Sequence, residues 1–329
     1  MRRCWLVGAM LAVGAVMVVL VVAAEPKGEP DGGGPQRIVA AAAGPEVGFD
    51  SAVERAEAQA PEPPTKLAAR FGLEPEAVPP PVEHEFKDPP KAGLMFDTGT
   101  GEILWERHPD RELPIASLTK MLTAWMIVTA HRPGERVRIS KSATKAGGSM
   151  VGVLPAGKKV RLESLLKGLL LVSGNDAAEA LAEHDAGSVA AFVKRMNLEA
   201  KRLGLQCSHF TSPHGLIDRG NYSCPRDLAL LARADLSQPR IRAIARTDHV
   251  RLPFPIKGGF LDLWNNNPFI RAGVKGITGL KTGYTDAAGR CYVTTAERGG
   301  HKLGVILLDA PNPLEQVPKL LDLGASAGS

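Results

Sequence analysis

Pro114-Ile115-Ala116-Ser117-Leu118-Thr119-Lys120-Met121 leads into residues 117–130, where Leu118, Met121, Leu122, Trp125, Met126 and Val128 predict a largely buried helix. On such a helix Ser117 at i and Lys120 at i+3 share one face, one above the other. A serine hydroxyl is a weak nucleophile until a base takes its proton. A lysine serves as that base only when its amine is neutral, a state favoured by burial and by a nearby cation. A helix N-terminus also offers backbone N–H groups that can stabilise a developing oxyanion. Alone, the S-x-x-K pattern is weak, and a capping serine beside a solvated lysine explains it more simply.

Upstream, Gly93-Leu94-Met95-Phe96 and Ile103-Leu104-Trp105 bracket Asp97-Thr98-Gly99-Thr100-Gly101, which predicts a β-hairpin with a glycine-bearing turn. Downstream, residues 162–172, 177–203 and 227–234 read as helices, the last introduced by Pro225. After Gly279 the pattern alternates: residues 279–282, 291–296 and 303–308 predict strands, Arg298-Gly299-Gly300 a turn, and 314–323 a final helix. Strands at both ends around a helical middle imply an α+β fold in which the helices are inserted into the sheet.

Two further short motifs lie in this frame. Ser173-Gly174-Asn175 follows an apolar helix, where a Ser/Asn cap with a glycine turn is the plain alternative. Lys281-Thr282-Gly283, followed by Tyr284, falls on an expected edge strand. There a cation and a hydroxyl can hold a carboxylate, and Gly283 leaves room for a substrate along the strand. In order, S-x-x-K, S-x-N and K-T-G resemble the motif set of the penicillin-recognising serine enzymes.

The flanking residues narrow the resemblance. Pro114 to Met121, Gly147-Gly148-Ser149-Met150, Leu169-Leu170-Leu171-Val172-Ser173-Gly174-Asn175-Asp176-Ala177-Ala178, Pro213-His214-Gly215-Leu216 and Lys281-Thr282-Gly283-Tyr284-Thr285 with Ala288-Gly289 are similar to the low-molecular-weight D-alanyl-D-alanine carboxypeptidases, peptidase family S11. The resemblance runs from about Lys91 onward. It implies a penicillin-binding, β-lactamase-like fold: a five-stranded antiparallel sheet flanked by helices, with an inserted helical subdomain. It implies Ser117 as nucleophile, Lys120 as base, Ser173 as proton relay and Asn175 as a partner of Lys120 and of the substrate carbonyl. Lys281 and Thr282 would hold the terminal carboxylate, and the backbone N–H groups of Ser117 and Tyr284 would form the oxyanion hole. The implied substrates are peptidoglycan stem peptides, β-lactams are the implied inhibitors, and no metal or cofactor is needed. DD-endopeptidase or transpeptidase activity is compatible with the same motifs. A class A β-lactamase would carry a deacylating glutamate in an E-x-x-L-N pattern, which is absent. A non-catalytic wall-binding scaffold would not require the intact set of site residues.

Composition fits export. The 329 residues carry 40 Lys+Arg against 35 Asp+Glu, a net charge of +5 that suits an anionic lipid or wall surface. Aromatics are 5% of the chain and no basic patch with interleaved aromatics occurs, which argues against nucleic-acid binding. Met1-Arg2-Arg3 followed by the apolar residues 4–24, ending in Val22-Ala23-Ala24, reads as a secretory signal. The run is also long enough for an uncleaved membrane anchor. Basic residues at the start predict that the rest of the chain lies outside the cytoplasm. Residues 25–90 mix Pro, Gly, Ala and Glu with few large apolar residues, which predicts a disordered tether, with 67–73 at most a transient helical turn. Residues 91–329 are then the catalytic domain. Many relatives add a β-rich domain and a C-terminal amphipathic helix; here attachment is expected at the N-terminal segment or nowhere. Cys207 and Cys224 flank a Pro/Gly-rich loop and could pair, with buried or idle thiols as the leading alternative. No CxxC or Cys/His cluster appears, and His209 and His214 are weak metal-ligand candidates.

Overall fold

Alternation around Met95 sends successive side chains to opposite faces of a sheet, so a strand that is apolar at every position must be covered on both sides. The computed structural model, which describes residues 69–73, 81–216 and 219–327, has such a sheet. Its elements begin with β1 (Ala92–Asp97), β2 (Ile103–Arg107), β3 (Leu113–Pro114), a 3₁₀ turn (Ala116–Thr119) and α1 (Lys120–Ala130). Next come β4 (Arg136–Arg138), a second 3₁₀ turn (Ala143–Lys145), β5 (Lys159–Arg161), α2 (Leu162–Leu170), α3 (Asn175–Ala186) and α4 (Val189–Leu203). After these stand β6 (Tyr222–Ser223), α5 (Pro225–Ser237), α6 (Pro239–Ala245), β7 (His249–Pro253), β8 (Phe260–Trp264) and α7 (Pro268–Arg271). The last are β9 (Ile277–Thr285), β10 (Gly289–Arg298), β11 (His301–Leu308) and α8 (Pro313–Ala327).

The main sheet is antiparallel in the order β2-β1-β11-β10-β9, so the β1–β2 hairpin and the strands β9 to β11 close one layer. Everything from β3 to α7 is inserted between them, which is the expected α+β plan. Met95, Leu303, Val305 and Leu307 pack on one face with Val317, Leu320 and Leu321 of α8. Leu94, Phe96, Ile306 and Leu308 face the other way, into a larger core shared with α1 through α6. A glycine is required at Gly304, since a Cβ there would fall 2.4 Å from the Phe96 ring. The first hairpin turns where Asp97 Oδ1 accepts from the Gly99 and Thr100 amides at 2.7 and 2.8 Å. Helix α1 is buried from Lys120 through Ile127, as a helix running through a core must be.

Several expectations change. Residues 177–203 form two helices, because Gly187 takes φ 77° and closes α3 while the Ser188 hydroxyl caps α4 by accepting from Ala191 N at 3.1 Å. The hairpins β4–β5 and β7–β8 had no counterpart in the sequence pattern. Packed structure also starts before Lys91. Phe71 is buried against Trp125, Val82 N donates to Leu104 O at 3.0 Å, and Trp105 Nε1 donates to His84 O at 3.0 Å. Those contacts remove residues 69–73 and 81–90 from the expected tether. The apolar run 4–24 and the remainder of the tether lie outside the described residues. Among the described residues no helix is long and apolar enough to cross a membrane. Cys207 and Cys224 are joined in a disulfide, Cα–Cα 5.9 Å, so these two are not idle thiols. Cys291 is buried, its Sγ donating to Ala288 O at 3.4 Å. His209 and His214 do not converge on one point: His209 Nδ1 meets Gly220 O, whereas His214 is buried beside Lys120.

Asp235 on α5 is fully buried, and neither carboxylate oxygen has a hydrogen-bond partner among the described residues. Burial alone pushes its carboxyl well above the usual range. A carboxyl raised in the folded state causes no loss of stability below its unfolded value, and the loss grows as the pH climbs from there toward the folded value. Asp235→Asn is therefore expected to melt a few degrees higher than the parent at about pH 8. Below about pH 4 the two should melt alike. Thermal melts across that range test this, and a parent-like melt at high pH would refute it.

Candidate active site

The serine sits on the 3₁₀ turn ahead of α1, and Lys120 is the first residue of the helix proper. This differs from the α-helical first turn that the pattern suggested. In a 3₁₀ turn positions i and i+3 eclipse, which aims the lysine directly at the serine. Ala116 enters the turn at φ 47°, a conformation that L-residues adopt only when their surroundings impose it. Strand β9 packs against the turn: a Cβ on Gly283 would stand 2.9 Å from Ser117 N and 3.0 Å from Ile115 O.

Lys120 has no solvent exposure, and its Nζ makes three contacts. It donates to Asn175 Oδ1 at 2.7 Å and to His214 O at 2.8 Å, and lies 2.9 Å from Ser117 Oγ. The first two partners are oxygens that can only accept. The Asn175 oxygen is assigned, because its Nδ2 donates to Gly147 O at 2.8 Å. A neutral amine has two protons for those oxygens and a lone pair left over. That lone pair faces the Ser117 hydroxyl, which can donate to it. Charge follows geometry: burial holds the Lys120 amine well below its usual range, the Lys281 ammonium lowers it further, and Asp176 opposes both.

Lys281, on edge strand β9 as expected, is also buried, and burial depresses it to about 7. Its Nζ donates to Ser173 Oγ at 3.0 Å and to Thr282 O at 2.8 Å. Ser173, at φ 60°, sits in the connection between α2 and α3. Two pairs thus stand near one another, Ser117 with Lys120 and Ser173 with Lys281, close enough for the Lys281 charge to act on Lys120, and Asn175 tethers the first. Ser117 is the part-exposed member, so an incoming carbonyl can reach it. The Thr282 hydroxyl makes no hydrogen bond among the described residues. The Tyr284 ring is not in the cluster: it is 64% exposed and its hydroxyl donates to Asp286 Oδ1 at 3.1 Å.

Three contributors carried no role assignable from sequence. His214 supplies a backbone carbonyl, which has no side-chain signature; its imidazole is pushed down to about 4 by burial and by Lys120. Asp176 accepts from the amides of Val151 at 2.8 Å and Gly152 at 2.9 Å, pinning the 147–152 loop beside Asn175. Gly147 O orients the Asn175 amide. An acid directly after Asn175 at a helix start was the one available signal, as such a residue complements unpaired amides.

Residues 84–312 match the family described as D-alanyl-D-alanine carboxypeptidase, peptidase family S11. The chain belongs to this family. Its S11 relatives include D-alanyl-D-alanine carboxypeptidase DacF of Bacillus subtilis (strain 168), 35% identical over 246 residues that cover 72% of this chain and 62% of the relative. Another is the D-alanyl-D-alanine carboxypeptidase of Streptomyces sp. (strain K15), 31% identical, with 70% and 86% covered. The chain therefore spans less than two thirds of the Bacillus relative's length. Among solved structures, the Streptomyces K15 DD-transpeptidase superposes with a TM-score of 0.69 at 28% identity, covering 74% of this chain and all of that one. A D-alanyl-D-alanine carboxypeptidase from Mycobacterium tuberculosis H37Rv gives 0.68 at 29% identity, covering 78% of this S11 chain and 94% of that one.

Proposed function

We propose that the chain is a serine-type D-alanyl-D-alanine carboxypeptidase that removes the terminal D-alanine from peptidoglycan stem pentapeptides. The observation that carries this reading is the buried Lys120 Nζ, 2.7 and 2.8 Å from the acceptor-only oxygens of Asn175 and His214 and 2.9 Å from Ser117 Oγ. Ser117 Oγ attacks the carbonyl carbon between the two D-alanines while its proton passes to Lys120. The oxyanion is stabilised by the backbone N–H groups of Ser117 and Tyr284. Ser173 relays to the departing amine the proton that Lys120 took, the C–N bond breaks and D-alanine leaves. Water then cleaves the ester on Ser117. The Lys281 ammonium, with Thr282, binds the terminal carboxylate, and that same charge favours a neutral Lys120. β-Lactams acylate Ser117 because their amide and carboxylate mimic the substrate's end. The enzyme works outside the cytoplasm, with residues 4–24 as its export signal or anchor.

Relatives titled DD-transpeptidase and D-alanyl-D-alanine endopeptidase favour a second reading, transfer to an amine or cleavage within cross-links. Incubation of the purified chain with a diacetylated pentapeptide, with and without an amine acceptor, separates these: free D-alanine with water as acceptor is expected. No release and no transfer at any pH from about 5 to 9, a range that spans the Lys281 transition at about 7, would defeat the proposal.

The carbonyl of His214 gives a further check. Gly215 has φ 76°, and a Cβ on it would lie 1.9 Å from Ala116 O and 2.5 Å from Thr119 Oγ1. Gly215→Ala must push the loop away and withdraw an acceptor from Lys120. Acylation by a fluorescent penicillin is expected to slow at least roughly tenfold, about 1.4 kcal/mol in the barrier. An unchanged rate would mean that His214 O does not matter to the base.

A further inference from the structure

A second cluster of reactive side chains lies where α1 and α3 end. His131, just beyond α1, brings Nδ1 to 2.9 Å from Glu135 Oε2. His184, in the last turn of α3, brings Nε2 to 3.1 Å from the same oxygen. The three ligand atoms all lie within 4.8 Å of one another. We propose that His131, Glu135 and His184 form a binding site for a zinc ion.

Two imidazole nitrogens and one carboxylate oxygen are the donor set that zinc takes in four-coordinate sites, and they suit it better than calcium or magnesium. A tetrahedral ion with ligands at about 2.0–2.1 Å separates them by roughly 3.3 Å. The two nitrogen–oxygen spacings are within a few tenths of that value. Two of the three ligands, His131 and Glu135, are oriented from behind. His131 Nε2 meets Asp185 Oδ1 at 2.9 Å, which fixes the tautomer that leaves the Nδ1 lone pair facing inward. Asp185 has 2% side-chain exposure and is itself paired with Arg195 at 2.8 Å. A carboxylate behind a ligating histidine is how proteins set imidazole orientation at metal centres. Glu135 Oε1 is occupied by Arg132 N at 2.7 Å, so Oε2 is the oxygen presented to the ion. The three ligands keep 16 to 34% side-chain exposure, which leaves an entry path and room for a water as fourth ligand.

The location gives the ion its role. Lys120 opens α1 and Asn175 opens α3, so both helices start at the Ser117 cluster. Both end at this one, about 13–17 Å away along their axes at 1.5 Å per residue. Zinc here clamps the far ends of the two helices that position the base and its amide partner. It takes no part in acyl transfer, and its binding is independent of the proposed activity.

The test is equilibrium dialysis of the whole chain, freed of metal with EDTA, against Zn²⁺ alone, with Co²⁺ as an optical probe of tetrahedral nitrogen/oxygen ligation. One equivalent should bind with a Kd in the micromolar range or below, and the melting temperature should rise with Zn²⁺ and fall back with EDTA. His184→Gln, which keeps a side-chain amide near Glu135, should weaken binding at least tenfold. Asp185→Asn should weaken it about 10–100-fold. Absence of saturable binding by the parent up to about 100 μM Zn²⁺ would overturn the site. So would unchanged affinity in His184→Gln, which would put the metal elsewhere. The parent titration decides the matter even if a variant fails to fold.

Discussion

Ser117→Ala is expected to leave a folded, penicillin-blind protein whose D-alanine release falls by about four orders of magnitude or more. The size follows from what the hydroxyl does. In the proposed mechanism it supplies the atom that becomes covalently bonded, and Ser173 Oγ is engaged by Lys281 at 3.0 Å, not by Lys120. The fold should survive because the hydroxyl makes one hydrogen bond, to Lys120, which keeps Asn175 and His214. Loss of one such bond costs roughly 0.5–1.5 kcal/mol. The measurement is paired: covalent labelling by a fluorescent penicillin, and D-alanine release from a pentapeptide, with a thermal melt as control. Residual labelling of Ser117→Ala at the parent's rate would transfer the nucleophile elsewhere and end the assignment. A melt lowered by many degrees would instead mean that the serine has a structural role that its single contact does not indicate.

How far these side chains could be read in advance depended on how local their determinants are. Ser117 and Lys120 were legible because three residues of spacing put them together in any helical turn. Asn175 and Lys281 were legible as motifs, but 55 residues separate Lys120 from Asn175, and only the fold brings them within 2.7 Å. The hairpin β1–β2 announced itself through two short apolar runs that bracket a glycine-bearing turn. The hairpin β7–β8 did not, since its outer positions include exposed Phe260 and Trp264 beside buried Leu261 and Leu263, which blurs the period. The break between α3 and α4 was written in Gly187-Ser188, yet apolar positions on either side suggested one helix. Phe71 and Val82 were missed for another reason. Isolated apolar residues in Pro-rich surroundings have no periodicity, and their burial depends on partners, Trp125 and the edge strand β2, far away in the chain. The cluster of His131, Glu135 and His184 is invisible in the same way, two of its members lying 49 residues apart.

Lys281→Gln is expected to lower kcat/KM by two to three powers of ten, the equivalent of about 3–4 kcal/mol for a carboxylate that loses a buried cationic partner. The sharper signature is in the pH profile. In the proposed mechanism the productive form needs Lys120 neutral and Lys281 charged, so the rate should rise as the first loses its proton and fall as the second does. The falling limb of kcat/KM in the parent is expected near about 7, where burial holds the Lys281 ammonium. A bound substrate carboxylate stabilises that ammonium, so the falling limb of kcat should lie at higher pH than that of kcat/KM. The rising limb reports Lys120, which the Lys281 charge depresses. Removing that charge lets Lys120 keep its proton to higher pH. The rising limb of Lys281→Gln must therefore move upward while the falling limb due to Lys281 disappears. A substitution that merely loosened the groove would lower the rate at every pH without moving the rising limb. Full profiles of D-alanine release for the parent and Lys281→Gln distinguish these outcomes. A rising limb that stays put, or moves down, would mean that the two lysines do not sense each other and that Lys120 stays neutral through burial alone.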